Sequence, residues 1–130
     1  MHEKAEYTIH EVSKMTGLST HTLRYYEKEQ LIKYVSRDQN GYRKYVSDHI
    51  EWIEFLKIIK KTNMPLEKIK LFGDLLEKGD STLCEREQML LAHHEQVLDE
   101  MESIEKCLIH INQKLQRYRR KIDNLSNSEQ

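Results

Sequence analysis

The sequence predicts a mostly α-helical protein, and three observations point to this fold class. Residues 8–27 carry the caps and breaks of two short helices joined by a tight turn. Residues 33–46 change to β-prone residues around an Asn-Gly pair. From Leu83 onward, apolar residues return every seven positions. We therefore expect a helical domain with a two-stranded wing, followed by one long dimerisation helix.

The first two helices are predicted from their end signals. Thr8-Ile-His-Glu11 is a capping box, and Gly17 ends the helix that it opens. Ser19 or Thr20 caps the second helix. This helix-turn-helix layout is the unit that places its second helix in the major groove of DNA.

A hairpin is predicted after the second helix. Asn40-Gly41 is flanked by β-prone residues, and this pair favours a two-residue turn in which both positions have positive φ. The second arm carries Tyr42, Arg43 and Lys44. Because one face of a two-stranded ribbon stays exposed, several of these side chains should reach solvent or a partner.

Two more helices should complete the N-terminal domain, which we expect at residues 7–80. Asp48-His-Ile-Glu51 has the form of a capping box and predicts the start of a third helix. Pro65 suits the first turn of a fourth helix, which should run to about Glu77. Lys78-Gly79-Asp80 should end it.

The last segment has the pattern of a coiled coil. Two apolar series recur every seven residues, and polar residues occupy the other faces. Thr82-Leu-Cys-Glu85 is a capping box at the start. We expect a dimerisation helix at residues 81–121 and a frayed or disordered tail at residues 122–130. The residues expected at the homodimer interface are Leu90, Val97, Met101, Ile104, Leu108, Ile111, Leu115 and Tyr118.

The charge distribution and the lack of long apolar segments limit the classes of protein to which the chain could belong. The net charge is −1, but residues 1–65 hold eleven Lys or Arg against nine Asp or Glu, so the N-terminal half is the more basic one. Binding to phosphates needs a local basic face, not a basic total. The two cysteines lie far apart, the N-terminus has no signal peptide, and no segment is apolar enough for a membrane span. We expect a cytoplasmic protein that has no membrane partner.

An enzyme is the poorest interpretation of the sequence. It contains no Gly-rich phosphate loop, no acid–base constellation and no metal-ligand set. We therefore expect no catalytic residues, no bound metal and no cofactor.

Several motifs together resemble one known family. They are Thr8-Ile-x-Glu11-Val, Gly17-Leu-Ser, Thr22-Leu-Arg-Tyr-Tyr-Glu27, Leu31-Ile, Arg37, Asn40-Gly41-Tyr42-Arg43 and Tyr45. From about residue 7 to 80 they are similar to the N-terminal signature of the MerR family of bacterial transcription regulators. The resemblance implies a winged helix-turn-helix domain, a homodimer held by an antiparallel coiled coil, and promoter DNA and RNA polymerase as partners. It further implies that the protein bends and untwists the spacer between promoter elements.

The resemblance also implies which residues hold DNA. Arg24 should contact phosphate or base edges, unless it pairs with Glu27. The Tyr25 hydroxyl should contact phosphate, unless Tyr25 lies in the core. The remaining candidates are Thr20, His21 and Thr22 near the start of the second helix, Arg37, Tyr42, Arg43 and Lys44 on the wing, and Lys60 and Lys61 at a helix end. Capping, cross-strand packing and interaction with a helix dipole are the alternatives for these.

Cys84 is a candidate sensor thiol. It should lie in the first turn of the long helix, where the dipole favours a thiolate, although Glu85 and Glu87 oppose this. Metal-sensing relatives complete their site with residues that this chain lacks after His110. The competing interpretation is that Cys84 is a small buried apolar residue.

The sequence leaves a second function open. The chain could instead be a coiled-coil dimer whose N-terminal domain binds protein rather than DNA.

Overall fold

The computed structural model describes residues 5–128 and confirms a mostly α-helical chain with a two-stranded wing and a long C-terminal helix. The helices are α1 (Ile9–Thr16), α2 (Thr20–Lys28), α3 (Ser47–Lys61), α4 (Leu66–Glu77) and α5 (Leu83–Ser128), with a 3₁₀ helix at Gly79–Thr82. The strands are β1 (Ser36–Arg37) and β2 (Arg43–Lys44).

The helix-turn-helix forms as its end signals predict. Thr8 and Glu11 make the capping box of α1, and Gly17 closes that helix at φ 77°. Ser19 is the N-cap of α2 and accepts the Thr22 amide. These caps satisfy backbone groups that have no partner within their helices.

The apolar faces of α1 to α4 and the residues at the base of the wing enclose one core. It consists of Ile9, Val12, Leu23, Tyr26, Leu31, Ile32, Tyr45, Ile53, Leu56, Ile59, Met64 and Ile69. Helix α2 packs on this core through Leu23 and Tyr26, so its opposite face is left for solvent or a ligand.

The wing turns differently from the prediction. The strands pair antiparallel, with Arg37 opposite Arg43, and the Asp38 amide donates to the Tyr42 carbonyl. The loop therefore has three residues, and of the Asn40-Gly41 pair only Gly41 has positive φ, at 85°. The Asp38 carboxylate accepts the amides of Asn40 and Tyr42, each at 2.9 Å, which stabilises the longer turn.

The start of α3 also corrects the sequence prediction. The N-cap is Val46 rather than Asp48, and Val46 has no side-chain acceptor for the first turn. His49 at the third helical position supplies one half of a capping box, because its Nδ1 accepts the Val46 amide at 3.0 Å.

The connection from α4 to α5 is bound to the N-terminal unit. Thr82 does not cap α5; it is buried, and its hydroxyl lies 2.6 Å from the Leu75 carbonyl and 2.9 Å from the Gly79 carbonyl. The Arg86 guanidinium donates to the Thr82 hydroxyl and to the Gly79 carbonyl. The N-terminal compact unit accordingly reaches Glu87, seven residues beyond the end of the domain expected at residue 80.

Helix α5 is 46 residues long, roughly 69 Å at 1.5 Å per residue. It continues through residues 122–128, so the expectation of a frayed tail is wrong for them; residues 129 and 130 lie outside the described part. The helix continues because no Gly or Pro interrupts it. Among residues 5–128, no helix combines the length and the apolar character needed to cross a membrane.

Candidate nucleic-acid interface

The outward face of α2 carries the residues predicted to meet DNA. His21, Arg24 and Tyr25 are exposed, whereas Thr20 and Thr22 are half-buried. The Thr22 hydroxyl accepts a hydrogen bond from Ser19 at 2.9 Å, which engages it in the helix cap. Three adjacent side chains of one short helix are thus available to a ligand.

Two alternatives for this helix are excluded by the geometry. Tyr25 is 51% exposed, so it is not a core residue. Within residues 5–128, no carboxylate lies within ion-pair distance of Arg24, and Glu27 pairs elsewhere. The Arg24 guanidinium is therefore available to an external partner.

Glu27 joins α2 to the wing. Its Oε2 accepts a hydrogen bond from the Nε of Arg43, and its Oε1 lies 3.6 Å from the NH2 atom of Arg37. The Glu27 and Arg43 side chains are only 22% and 20% exposed. One carboxylate thus fixes a cation from each strand of the wing beside α2, and the Arg43 Nε is no longer available to DNA.

The other wing candidates remain near the surface. Tyr42 is 70% exposed at the tip. Lys44 is half-buried and pairs with Glu6 at 3.0 Å. The NH1 atom of Arg37 donates to the Gly41 carbonyl at 3.1 Å, which braces the turn. The charged side chains of Arg37 and Lys44 are therefore positioned by a hydrogen bond and an ion pair, respectively.

A groove of about 490 Å³ lies between the wing, the start of α1 and α2. Thr8 and His10 line one wall, Arg24 lines another, and Tyr42 and Arg43 line the wing side. The groove brings Arg24 and Arg43 to one concave surface, although they come from different elements.

Tyr45 is buried beneath this charged cluster. It is fully inaccessible, and its hydroxyl has no hydrogen-bond partner in the described part of the chain. Burial raises the pKa of the Tyr45 phenol, and the negative charge of Glu27 raises it further, against the lowering effect of Arg43, Arg24 and Arg37.

The two lysines at the end of α3 differ. The Lys60 ammonium lies 5.0 Å from the ring centroid of Tyr26, so its position is partly set by a cation–π contact. Lys61 is exposed. Burial is the main cause that raises the pKa of the Tyr26 phenol.

The apolar stripe of α5 has no cover in the single chain. The helix contains no buried residue, and Ile104 is 67% exposed. The eight predicted interface residues are exposed except Val97, which is half-buried: Leu90, Val97, Met101, Ile104, Leu108, Ile111, Leu115 and Tyr118.

The cysteines and potential metal ligands are dispersed. Cys84 and Cys107 are both free and exposed, so the interpretation of Cys84 as a buried apolar residue is wrong for this chain alone. Across residues 5–128, no group of three or more His, Cys, Asp or Glu side chains is arranged to hold a metal ion.

Sequence reasoning missed the roles of Glu27, Tyr45 and His49. Glu27 was a part of the recognised motif, but its partners come from the wing, sixteen residues away in the case of Arg43. The hairpin register sets Arg37 opposite Arg43, and the packing of the wing against α2 brings both to Glu27; the local sequence pattern contains neither.

A family model described as MerR HTH family regulatory protein matches residues 7–73. An uncharacterised HTH-type transcriptional regulator of Haemophilus influenzae is 38% identical over 80 residues, which is 62% of this chain and 59% of that protein. The HTH-type transcriptional regulator AdhR of Bacillus subtilis is 34% identical over 91 residues, 70% of this chain and 65% of AdhR. The chain thus spans about three fifths of the length of these curated relatives.

Two solved structures are similar over most of the chain. A MerR family transcriptional regulator from Bacillus thuringiensis has a TM-score of 0.78 at 34% identity, covering 86% of this chain and 98% of that one. HiNmlR, described as a MerR family regulator lacking the sensor domain and bound to promoter DNA, has a TM-score of 0.70 at 31% identity, covering 79% and 78%.

Proposed function

The chain belongs to the MerR family of helix-turn-helix regulatory proteins, and we propose that it is a DNA-binding transcription regulator. In this proposal it acts in the cytoplasm as a homodimer on a pseudo-palindromic promoter. Each subunit places α2 in a major groove and its wing on the backbone beside it.

The observation that carries the proposal is the arrangement of cations around α2. Arg24 is exposed without an ion-pair partner among the described residues, and Glu27 holds Arg37 and Arg43 of the wing close to it. Arginines from α2 and from the wing line one groove, and arginine is a usual contact of the phosphate backbone. The promoter-bound state of HiNmlR supports the same ligand for this chain.

Homodimer formation is supported by the exposed stripe of α5. The helix is 46 residues long and contains no buried residue, and burial of its apolar stripe by a partner would be favourable. A second copy supplies an identical stripe, which is the arrangement that heptad repeats favour. The interface would consist of the eight residues identified above.

Charge along α5 supports an antiparallel pair. Residues 85–105 contain seven Asp or Glu and one Arg, whereas residues 106–121 contain six Lys or Arg and no acidic residue. An antiparallel dimer places each acidic half beside the partner's basic half, and a parallel dimer places like charges together.

A fluorescent label on Cys84, at the start of α5, can distinguish the two orientations. In a Cys107→Ser background, pyrene attached to Cys84 should give no excimer emission in an antiparallel dimer, because the two labels lie near opposite ends. Strong excimer emission would indicate parallel helices.

Spacer distortion and recruitment of RNA polymerase complete the proposal. Bending a site of 20–30 bp costs about 1–6 kcal/mol, and contacts from two wings could offset this. Fluorescence energy transfer between dyes at the ends of a bound duplex should rise relative to the free duplex. An unchanged end-to-end distance would remove distortion from the proposal.

The function is tested by selecting random-sequence duplexes with the wild-type protein. The expected result is enrichment of an inverted repeat, with an affinity that falls steeply with added salt. A protein-interaction module would instead recover no common sequence.

A further inference from the structure

The imidazole of His49 closes the base of the wing. Its Nδ1 accepts the Val46 amide at 3.0 Å, and its Nε2 lies 2.9 Å from the Lys33 carbonyl. Lys33 precedes β1 and Val46 follows β2. A single side chain of α3 thus binds both the segment that enters the wing and the segment that leaves it.

These two contacts define the state of the ring. The Val46 amide is a donor, so Nδ1 must accept; the Lys33 carbonyl is an acceptor, so Nε2 must carry the proton. His49 is therefore held as the neutral Nε2–H tautomer. The ring also packs edge-on against Tyr45, with centroids 5.8 Å apart.

Besides the Tyr7–Tyr45 bridge, the wing has a short backbone ladder, so side-chain contacts such as this one help to hold its base. The ladder contains only two residue pairs. Tyr34, which follows Lys33, has φ 63°, a left-handed conformation that is rare for a bulky residue. Strained residues persist only where their surroundings hold them. Lys33 also pairs with Asp74 at 2.6 Å, and the Tyr34 hydroxyl donates to Glu77 at 3.3 Å.

We infer that His49 is a positioning residue for DNA binding. By holding the Lys33 carbonyl, it fixes the strained turn from which β1 departs, and so sets the direction in which the wing presents Arg37 and Arg43. This inference rests on the proposed function, because the wing needs a fixed direction only if it meets a backbone of fixed geometry.

A simpler role for His49 is to cap α3 alone. The two roles use different nitrogen atoms, and two substitutions separate them. In His49→Asn, the Oδ1 atom replaces Nδ1 as the cap acceptor, but nothing reaches Lys33. In His49→Gln, a side-chain amide at the ε position replaces the donor to Lys33. His49→Ala removes both hydrogen bonds.

The test measures binding of each full-length variant to the duplex selected by the wild-type protein. We expect His49→Gln to bind within about threefold of wild type, and His49→Asn and His49→Ala to bind roughly tenfold more weakly, since a dimer loses the hydrogen bond to the wing base in both subunits. The salt dependence should also become shallower in the two weak variants, by about 0.9 for each phosphate that the wing no longer binds. Equal affinities of His49→Asn and wild type would overturn the inference, as would a His49→Gln variant as weak as His49→Ala.

A measurement without DNA separates this inference from the proposed function. In folded His49→Asn, the amide protons of Asp38 and Tyr42 in the wing should exchange about tenfold faster than in wild type or in His49→Gln. Imidazole nitrogen shifts of wild-type His49 should report the neutral Nε2–H tautomer. Unchanged exchange would refute the tie itself, whereas failure of the wild-type protein to select any duplex would refute only its use in DNA binding.

Discussion

Glu27 on the second helix of the helix-turn-helix accepts a hydrogen bond from the Nε of Arg43 on the wing. Both side chains are mostly buried, so solvent screens this ion pair less than it screens a surface pair. The pair makes α2 and the wing a single surface, which a DNA duplex would meet as one unit.

Glu27→Gln should therefore loosen the wing. We expect the free energy of unfolding to fall by about 1–3 kcal/mol, the usual contribution of a hydrogen bond to a charged group, and affinity for the selected duplex to fall with it. Urea unfolding and fluorescence anisotropy measure the two effects. Glu51→Gln, on the exposed side of α3, is the control and should change neither. Wild-type stability and affinity in Glu27→Gln would show that the ion pair is dispensable.

Arg24→Ala should abolish specific binding and leave a folded dimer. Arg24 is exposed and pairs with no carboxylate of the described residues, so its removal costs the fold little, whereas both half-sites of the DNA lose a charged partner. We expect affinity to fall more than about a hundredfold. Lys68→Ala removes the same charge from the exposed side of α4 and should bind normally. Retained binding by Arg24→Ala would refute the role of this residue.

Tyr45→Phe should stabilise the protein. The Tyr45 hydroxyl is buried without a hydrogen-bond partner in the described structure, so its removal relieves a cost of about 1 kcal/mol. Thermal unfolding measures the change, and a loss of stability of similar size would mean that the hydroxyl has an important partner.

The alkaline pH dependence of stability follows from the raised pKa of Tyr45 and Tyr26, and the raised pKa of Lys33, caused mainly by its hydrogen bond to Asp74, acts in the same direction. Above the ordinary phenol pKa of about 10, the unfolded chain releases protons that the folded chain retains, so stability is constant below that pH and falls as pH rises through it. Urea titrations between pH 8 and about 11 should show a smaller alkaline loss in Tyr45→Phe than in wild type, but not zero, because Tyr26 remains. An identical loss in both proteins would contradict the assignment.

Ile104→Asp should dissociate the dimer. Ile104 is 67% exposed in the single chain and lies in the middle of the apolar series, where a carboxylate would be desolvated on pairing. Light scattering should report monomers. Ser103→Asp adds the same carboxylate at the neighbouring position, which lies outside both apolar series, and should remain dimeric. A dimeric Ile104→Asp would place the interface elsewhere.

The response of DNA binding to thiol reagents should depend on Cys84. Both cysteines are exposed, but only Cys84 lies next to the Thr82 and Arg86 contacts that fix the start of α5. Footprints of the wild-type protein should change with a thiol-reactive compound, as should those of Cys107→Ser, while those of Cys84→Ser should not. If Cys84→Ser responds like wild type, the sensor hypothesis is wrong.

Local sequence signals predicted the elements better than their connections. The capping box of Thr8 and Glu11 and the closing Gly17 are complete within a few residues, and the structure reproduces them. The prediction of a two-residue turn in the wing is wrong. The Asp38 carboxylate, which lies outside the Asn40-Gly41 pair, stabilises a longer loop.

The contacts that organise the candidate site were not accessible from the sequence. Glu27 meets Arg43 across sixteen residues, and His49 meets Lys33 across the same separation. Such pairs depend on the tertiary arrangement of α2, α3 and the wing, which no local periodicity encodes. The exposed apolar stripe of α5, by contrast, could be predicted, because its seven-residue period is visible in the sequence itself.

The central claim is that two paired subunits present their α2 helices and wings to one DNA site. Light scattering at low salt tests it by measuring the mass of the complex with the selected duplex. We expect two chains on each duplex, and loss of the complex as salt is raised. A protein that stays monomeric, or that leaves the duplex unbound at low ionic strength, would contradict the proposed function.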